Sequence, residues 1–152
     1  MTTSNLWRSD QERIYNKTPL KIGVVGYSKQ GFNEIQARIY IKRAFTTIHD
    51  NYGDQHYMIV VSGLTAMGIP LIAYQEAFER NWDTKGIACI KAKEHPCFPV
   101  DEEIIFGLEW GDESSLFLND IDILVRVGGG EQSMRETALA HEKCIPVIEF
   151  EM

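Results

Sequence analysis

The chain has 152 residues, of which 44% are hydrophobic, and a formal net charge of -7. That length suits one globular domain able to bury roughly two-thirds of its unfolded surface, while the acid excess argues against nucleic acid as a partner, since such affinity comes mainly from Lys and Arg displacing counterions. No stretch reaches the roughly 20 apolar residues of a membrane span, and three cysteines without CxxC spacing indicate neither a disulfide framework nor a zinc knuckle; the expectation is a reduced, cytoplasmic protein with no membrane partner and no metal site.

Residues 1 to 19 mix polar and charged types without a period and end at Pro19, which predicts an amino-terminal arm, with Leu6 and Trp7 packing onto a domain over 20–152. "LKIGVVG" (20–26) is a short, almost wholly apolar run closed by Gly, the pattern of a strand covered on both faces. After the polar loop "YSKQGFN", Ile35, Ile39, Ile41, Ala44, Phe45 and Ile48 recur at helical spacing, with Asn33 placed to cap the helix. "YMIVVSG" (57–63) repeats the strand signature, and "LTAMGIPLIAYQEAFERN" (64–81) predicts a helix with Pro70 in its early turns, where a missing amide does little harm. "KGIACI" (85–90) gives a third strand. The stretch from 91 to 120 is the least regular; Pro99 predicts a short helix through Asp101 to Trp110, and Ser114 or Ser115 caps another. "DILVRV" (122–127) and "IPVIEF" (145–150) are two further strands, separated by a helix from Gln132 to Glu142.

Strands alternating with helices predict an α/β fold, a Rossmann-like open parallel sheet with helices on both faces. In such sheets ligands settle outside the carboxyl ends of the strands, where the chain order switches direction. Three Gly-bearing loops leave that edge: "GYSKQGFN", "SGLTAMG" and "GGGEQS". Gly26 and Gly31 do not form a GxGxxG, and no acidic residue closes the second strand to hold an adenosine ribose, so no conventional NAD site and no resident cofactor are expected. Three successive glycines, Gly128, Gly129 and Gly130, let the backbone bend and approach a ligand closely, and the following helix offers free amides near Gln132 and Ser133. A tight turn without a ligand is the alternative for an isolated GGG.

The stretch "GGGEQSMRE" resembles the Gly-rich turn PGGxGTxxE of the SLOG superfamily of Rossmann-like proteins, which includes the LOG phosphoribohydrolases, long mislabelled lysine decarboxylases, and the molybdenum-cofactor carrier proteins. Gly129 and Gly130 fall on its two glycines, Ser133 on its Thr and Glu136 on its Glu, while Gly128 replaces the Pro and Gln132 the third Gly. "VVSGLTAMG" and "IGVVGYS" fall where those proteins have their other two loops, so the resemblance runs from about Lys21 to Glu151. It implies a ligand phosphate held by amides around Gly129 to Ser133 and by the Ser133 hydroxyl, at a helix start that supplies a favourable dipole. Gly26 and Ser28, with Gly63, Thr65 and Gly68, would enclose base and sugar, and Glu136 would point toward the ribose as the acidic group of N-glycosidic hydrolysis. A first-turn Glu that merely complements the helix dipole is the plainer alternative. The LOG enzymes pair that Glu with an Arg on the preceding helix, and here Glu113 stands at the Arg position. A carboxylate does not replace a guanidinium that binds phosphate or ribosyl oxygens.

The resulting expectation is a domain that binds a nucleotide or nucleotide-derived small molecule as carrier, sensor or sequestering protein. The alternative is a LOG-type nucleoside 5'-monophosphate phosphoribohydrolase, and a homodimer is the default assembly implied by the superfamily. Arg126, inside an apolar strand, needs an anionic partner: a ligand, or a carboxylate such as Asp101 or Glu109. Lys29 in the first loop stands within reach of a phosphate or is simply solvated. His95 and Cys97 in "KEHPCFP" match no strong zinc spacing and read as a packed loop forming a pocket wall.

Overall fold

A computed structural model of the chain describes residues 17–29 and 31–152. The expected packing of Leu6 and Trp7 lies outside the described residues. The sheet holds six strands, β1 (Thr18–Gly26), β2 (His56–Ser62), β3 (Asp83–Ala88), β4 (Glu102–Ile105), β5 (Ile123–Val127) and β6 (Val147–Phe150). Their order is β4-β3-β2-β1-β5-β6 and every pair is parallel. β1 begins at Thr18, so the first residues of the sheet precede the domain boundary read at 19/20.

The helices are α1 (Glu34–Tyr52), α2 (Gly68–Glu79), α3 (Ser114–Asp120) and α4 (Glu131–Glu142). Asn33 caps α1 as expected, its Oδ1 accepting from the Gln36 amide at 3.0 Å. Alternation along the strands sorts the core into two layers. Ile22, Val24, Val60, Val125 and Val127 pack beneath α1 and α2, where Phe45, Ile48, Ile69 and Tyr74 are buried. Val25, Val61, Ile87 and Leu124 meet Phe117, Leu118, Ile121 and Ala140 of α3, its flank and α4 on the other face. The sheet is therefore covered on both sides, which explains the near-continuous apolar runs of its inner strands. Among the described residues no helix is long and apolar enough to cross a membrane.

One predicted element is corrected. Residues 102–105 form β4 at the sheet edge, with Lys85 to Ala88 as parallel partners, rather than the helix expected from Asp101 to Trp110. Glu102 and Glu103 are exposed and Ile104 and Ile105 only half-buried, so this strand lacks the apolar run that marks the others. Its place is fixed by non-local bonds: Asp101 Oδ2 accepts from the Thr84 amide at 2.9 Å, and the Asp101 amide donates back to Thr84 Oγ1 at 3.0 Å. Between β3 and β4 a 3-10 helix spans Ile90–Glu94.

From β1 the chain steps outward through β2, β3 and β4, then returns to β5 on the opposite side of β1. The reversal falls between β1 and β5, and the loops after these two strands diverge over a crevice.

Candidate functional site

A cleft of about 690 Å³ opens at the carboxyl edge of the sheet. The loop after β1 contributes Gly26, Ser28 and Lys29; the loop after β2 contributes Gly63, Leu64, Thr65 and Met67; the start of α4 contributes Gly130, Glu131, Gln132, Ser133 and Glu136. Of the residues singled out in the sequence, the structure brings Gly26, Ser28, Gly63, Thr65, Gly130, Gln132, Ser133 and Glu136 together around one space. Gly68, Gly128, Gly129 and Arg126 are not in its lining. Sequence reasoning did not place Trp110 and Phe117 in the wall, and reached Glu113 only through the resemblance, at the position of the LOG arginine; all three arrive on the segment after β4 and on α3, where the strand itself was not foreseen. His95 lines the cleft, as the packed-loop reading of "KEHPCFP" anticipated.

The glycine turn owes its shape to close packing. Gly129 has φ 111°, and a β-carbon there would lie 2.1 Å from Ser133 Oγ and 3.0 Å from Gly26 Cα. Gly26, at the end of β1, is itself pressed against β5, a β-carbon on it falling 2.2 Å from the Val127 carbonyl oxygen. Two strands and a turn thus meet backbone to backbone, and α4 begins directly over the switch point. Gly68 works behind the cleft, where it opens α2; the next amide, of Ile69, donates to the Tyr27 carbonyl at 2.7 Å and fastens the second loop to the first.

α4 starts at Gly130 with no side-chain cap. The Met134 amide takes the Gly130 carbonyl at 3.1 Å. Among the described residues no acceptor reaches the amides of Glu131, Gln132 or Ser133, which leaves the positive end of the helix dipole open. The Ser133 hydroxyl donates to the Gly130 carbonyl at 3.0 Å and braces the turn.

Arg126 is corrected in its partners and its position. Its guanidinium is turned away from the cleft and is buried against β6, where Nη2 donates to Glu149 Oε1 at 2.9 Å and to Glu151, and Nη1 donates to the Gly128 carbonyl at 3.0 Å. Glu149 is its register partner on the neighbouring strand, which supersedes Asp101 and Glu109. The pairing holds the Glu149 carboxyl below the usual glutamate range. Arg126 thus ties down the turn from beneath.

Glu136 is 6% exposed and faces the cleft one turn into α4. Its Oε2 accepts from Ser114 Oγ at 2.7 Å and from Gln132 Nε2 at 3.3 Å. The same Gln132 nitrogen reaches Glu113 Oε2 at 3.3 Å, and Glu113 Oε1 accepts from the Gly111 amide at 3.0 Å. Two buried carboxylates therefore sit side by side on the cleft wall, bridged by one amide. Burial pushes the Glu136 carboxyl above its ordinary range and the charge of Glu113 adds to this, against the Ser114 and Gln132 hydrogen bonds and the more distant charge of Arg135. A carboxyl that binds its proton more tightly when folded contributes stability that is complete below the ordinary glutamate range and is lost as pH rises through the raised native value. Glu136→Gln keeps the shape without the charge. We expect it to be more stable than the native chain at neutral pH by roughly 0.5–2 kcal/mol, with the advantage vanishing near about pH 4 where both side chains are uncharged. Urea unfolding at the two pH values measures the difference; an unchanged or reduced midpoint at neutral pH would contradict it.

No family model matches the chain, and no curated protein matches it. Solved structures do. The molybdenum cofactor binding protein of the phototrophic bacterium Rippkaea orientalis is similar with a TM-score of 0.71 and 22% identity, covering 88% of this chain and 77% of that one. The molybdenum cofactor carrier protein of Chlamydomonas reinhardtii is similar with a TM-score of 0.68 and 24% identity, covering 86% and 76%. With its parallel six-stranded order and the glycine turn before α4, the chain shares the Rossmann-like fold of these two proteins, in agreement with the fold that the resemblance of "GGGEQSMRE" implies.

Proposed function

We propose that the cleft binds a nucleotide or nucleotide-derived small molecule through its phosphate, and that the protein acts as a cytoplasmic carrier or binding protein, with a homodimer as the expected assembly. The observation that carries this reading is the uncapped start of α4 opening into a 690 Å³ cleft, with three backbone donors and the helix dipole aimed at one place. The space is of the size that holds a small organic ligand, and Lys29 adds a cation at the rim. The carrier role draws support from the two neighbours described as binding or carrying the molybdenum cofactor.

Hydrolysis is the second reading, and Glu136 in the cleft favours it. It lacks its partner: among the described residues the lining holds no arginine, and Glu113 occupies the place where the LOG enzymes set one. Release of free base from nucleoside monophosphates, abolished in Glu136→Ala, would establish it.

The anion reading is tested by occupying the amides from within. A β-carbon on Gly130 meets nothing within 4 Å and its φ is negative, so Asp fits there. An Asp at that cap position accepts from the next amides and, relative to Gly, stabilises the helix by roughly a few tenths of a kcal/mol. Gly130→Asp is therefore expected to melt no lower than the native chain, yet to lose affinity for ribose 5-phosphate and mononucleotides by about tenfold or more in titration calorimetry. Unaltered affinity in a folded Gly130→Asp, or silence of the native chain toward every phosphate tried, would sink the reading.

A further inference from the structure

The two carboxylates of the cleft have more acceptor capacity than the protein satisfies. Glu113 spends both oxygens, on the Gly111 amide and on Gln132. Glu136 spends only Oε2; among the described residues no donor reaches its Oε1. That oxygen belongs to a side chain 94% buried by its 6% exposure, yet it is not among the sealed, unpartnered atoms of the interior, so it opens onto the cleft. No ion pair offsets either glutamate among the described residues. A carboxylate oxygen that no protein donor takes and that opens onto the cleft is an acceptor free for a donor of the ligand.

The surroundings narrow what brings it. Val25, Ile87 and Phe117 give the cleft apolar surface, and Trp110 adds an aromatic side chain to its lining. Walls of this kind suit a flat ring, and carboxylates bind best to neighbouring N–H groups that they can take together. The rise of about 1.5 Å per residue along α4 sets Glu136 several ångströms beyond the amides of Glu131 to Ser133, a separation that one ligand with an anionic tail and a ring can span.

We infer that Glu136, with Glu113 beside it, reads the ring of the ligand, selecting a heteroaromatic ring that offers an adjacent ring N–H and exocyclic amino group, as guanine does. This rests on the anion reading above, which places the other end of the ligand. It also accounts for Glu113: a carboxylate where a phosphate-binding enzyme needs a guanidinium turns this end of the cleft from an acceptor of negative charge into an acceptor of hydrogen bonds. Gln132 holds the pair together, its one nitrogen shared between them.

The test compares ligands that differ in that edge alone. GMP and IMP are the same but for the 2-amino group. The native chain is expected to bind GMP about tenfold or more tighter than IMP, the discrimination that a paired hydrogen bond to a base provides. Glu136→Gln, which is expected to fold with added stability, should collapse the GMP-to-IMP ratio toward one, and Glu113→Gln should lower it. Equal affinity for GMP and IMP in the native chain, or an unchanged ratio in Glu136→Gln, overturns the inference. Ribose 5-phosphate and guanosine separate this from the anion reading. Binding of ribose 5-phosphate without preference among the nucleotides overturns the ring assignment alone. Binding of guanosine that depends on Glu136, with no gain from the phosphate, overturns the anion reading alone. Silence toward all of them overturns both.

Discussion

Replacing Arg126 by Ala is expected to destabilise the protein by about 2–4 kcal/mol, since it removes a fully buried side chain and leaves a cavity under the turn. The number is set by packing more than by charge. Glu149 and Glu151, the two carboxylates that lose their partner, are 36% and 80% exposed and rehydrate, so the larger penalty of stranding a buried charge does not apply. Arg126→Met separates the contributions. Methionine restores most of the volume but donates nothing to the Gly128 carbonyl, which is buried and then lacks its hydrogen bond. We expect Arg126→Met to recover more than half of the lost stability in urea unfolding while binding ribose 5-phosphate more weakly than the native chain. Native-like binding by Arg126→Met would show that the guanidinium does not hold the turn.

Gly129→Ala is the second large effect. The positive φ strains an L side chain, and the new methyl would meet both Ser133 Oγ and the backbone of Gly26. Relief is possible for the Ser133 hydroxyl but not for β1. A loss of about 2–4 kcal/mol follows from strain and overlap together, with ligand affinity falling as the start of α4 is displaced. Adding Ser133→Gly removes the hydroxyl contact and leaves the φ penalty and the clash with Gly26, so the double variant is expected to regain only part of the stability. Full recovery would mean that the Ser133 contact, and not the backbone conformation, fixes the turn.

Both variants act on features that were partly visible before any coordinates. Five of the six strands announced themselves as apolar runs, because a strand covered on both faces has no polar positions to interrupt it. The three glycine loops were legible for the same reason: each closes such a run. β4 was not, as an edge strand with Glu102 and Glu103 exposed carries neither an apolar run nor a clean alternation. That miss hid part of the site. Trp110, Glu113 and Phe117 reach the cleft only because β4 carries the chain back to the carboxyl edge, and the contact between Ser114 and Glu136 joins residues 22 apart. Arg126 was recognised as needing an anionic partner, a ligand or a carboxylate, yet which one depended on register; only the pairing of β5 with β6 sets Glu149 beside it. Local pattern named the groups, and strand order decided which of them meet.

The strand order also leaves β4 and β6 as the outer strands of the sheet. An open parallel sheet ends in two rims with unpaired backbone groups, each a template for adding a foreign strand. Here one rim, β4, bears Glu102 and Glu103, and the other, β6, bears Glu149 with Glu151 just beyond. Each rim thus carries charged side chains rather than a bare apolar edge, which disfavours runaway growth of the sheet by edge pairing.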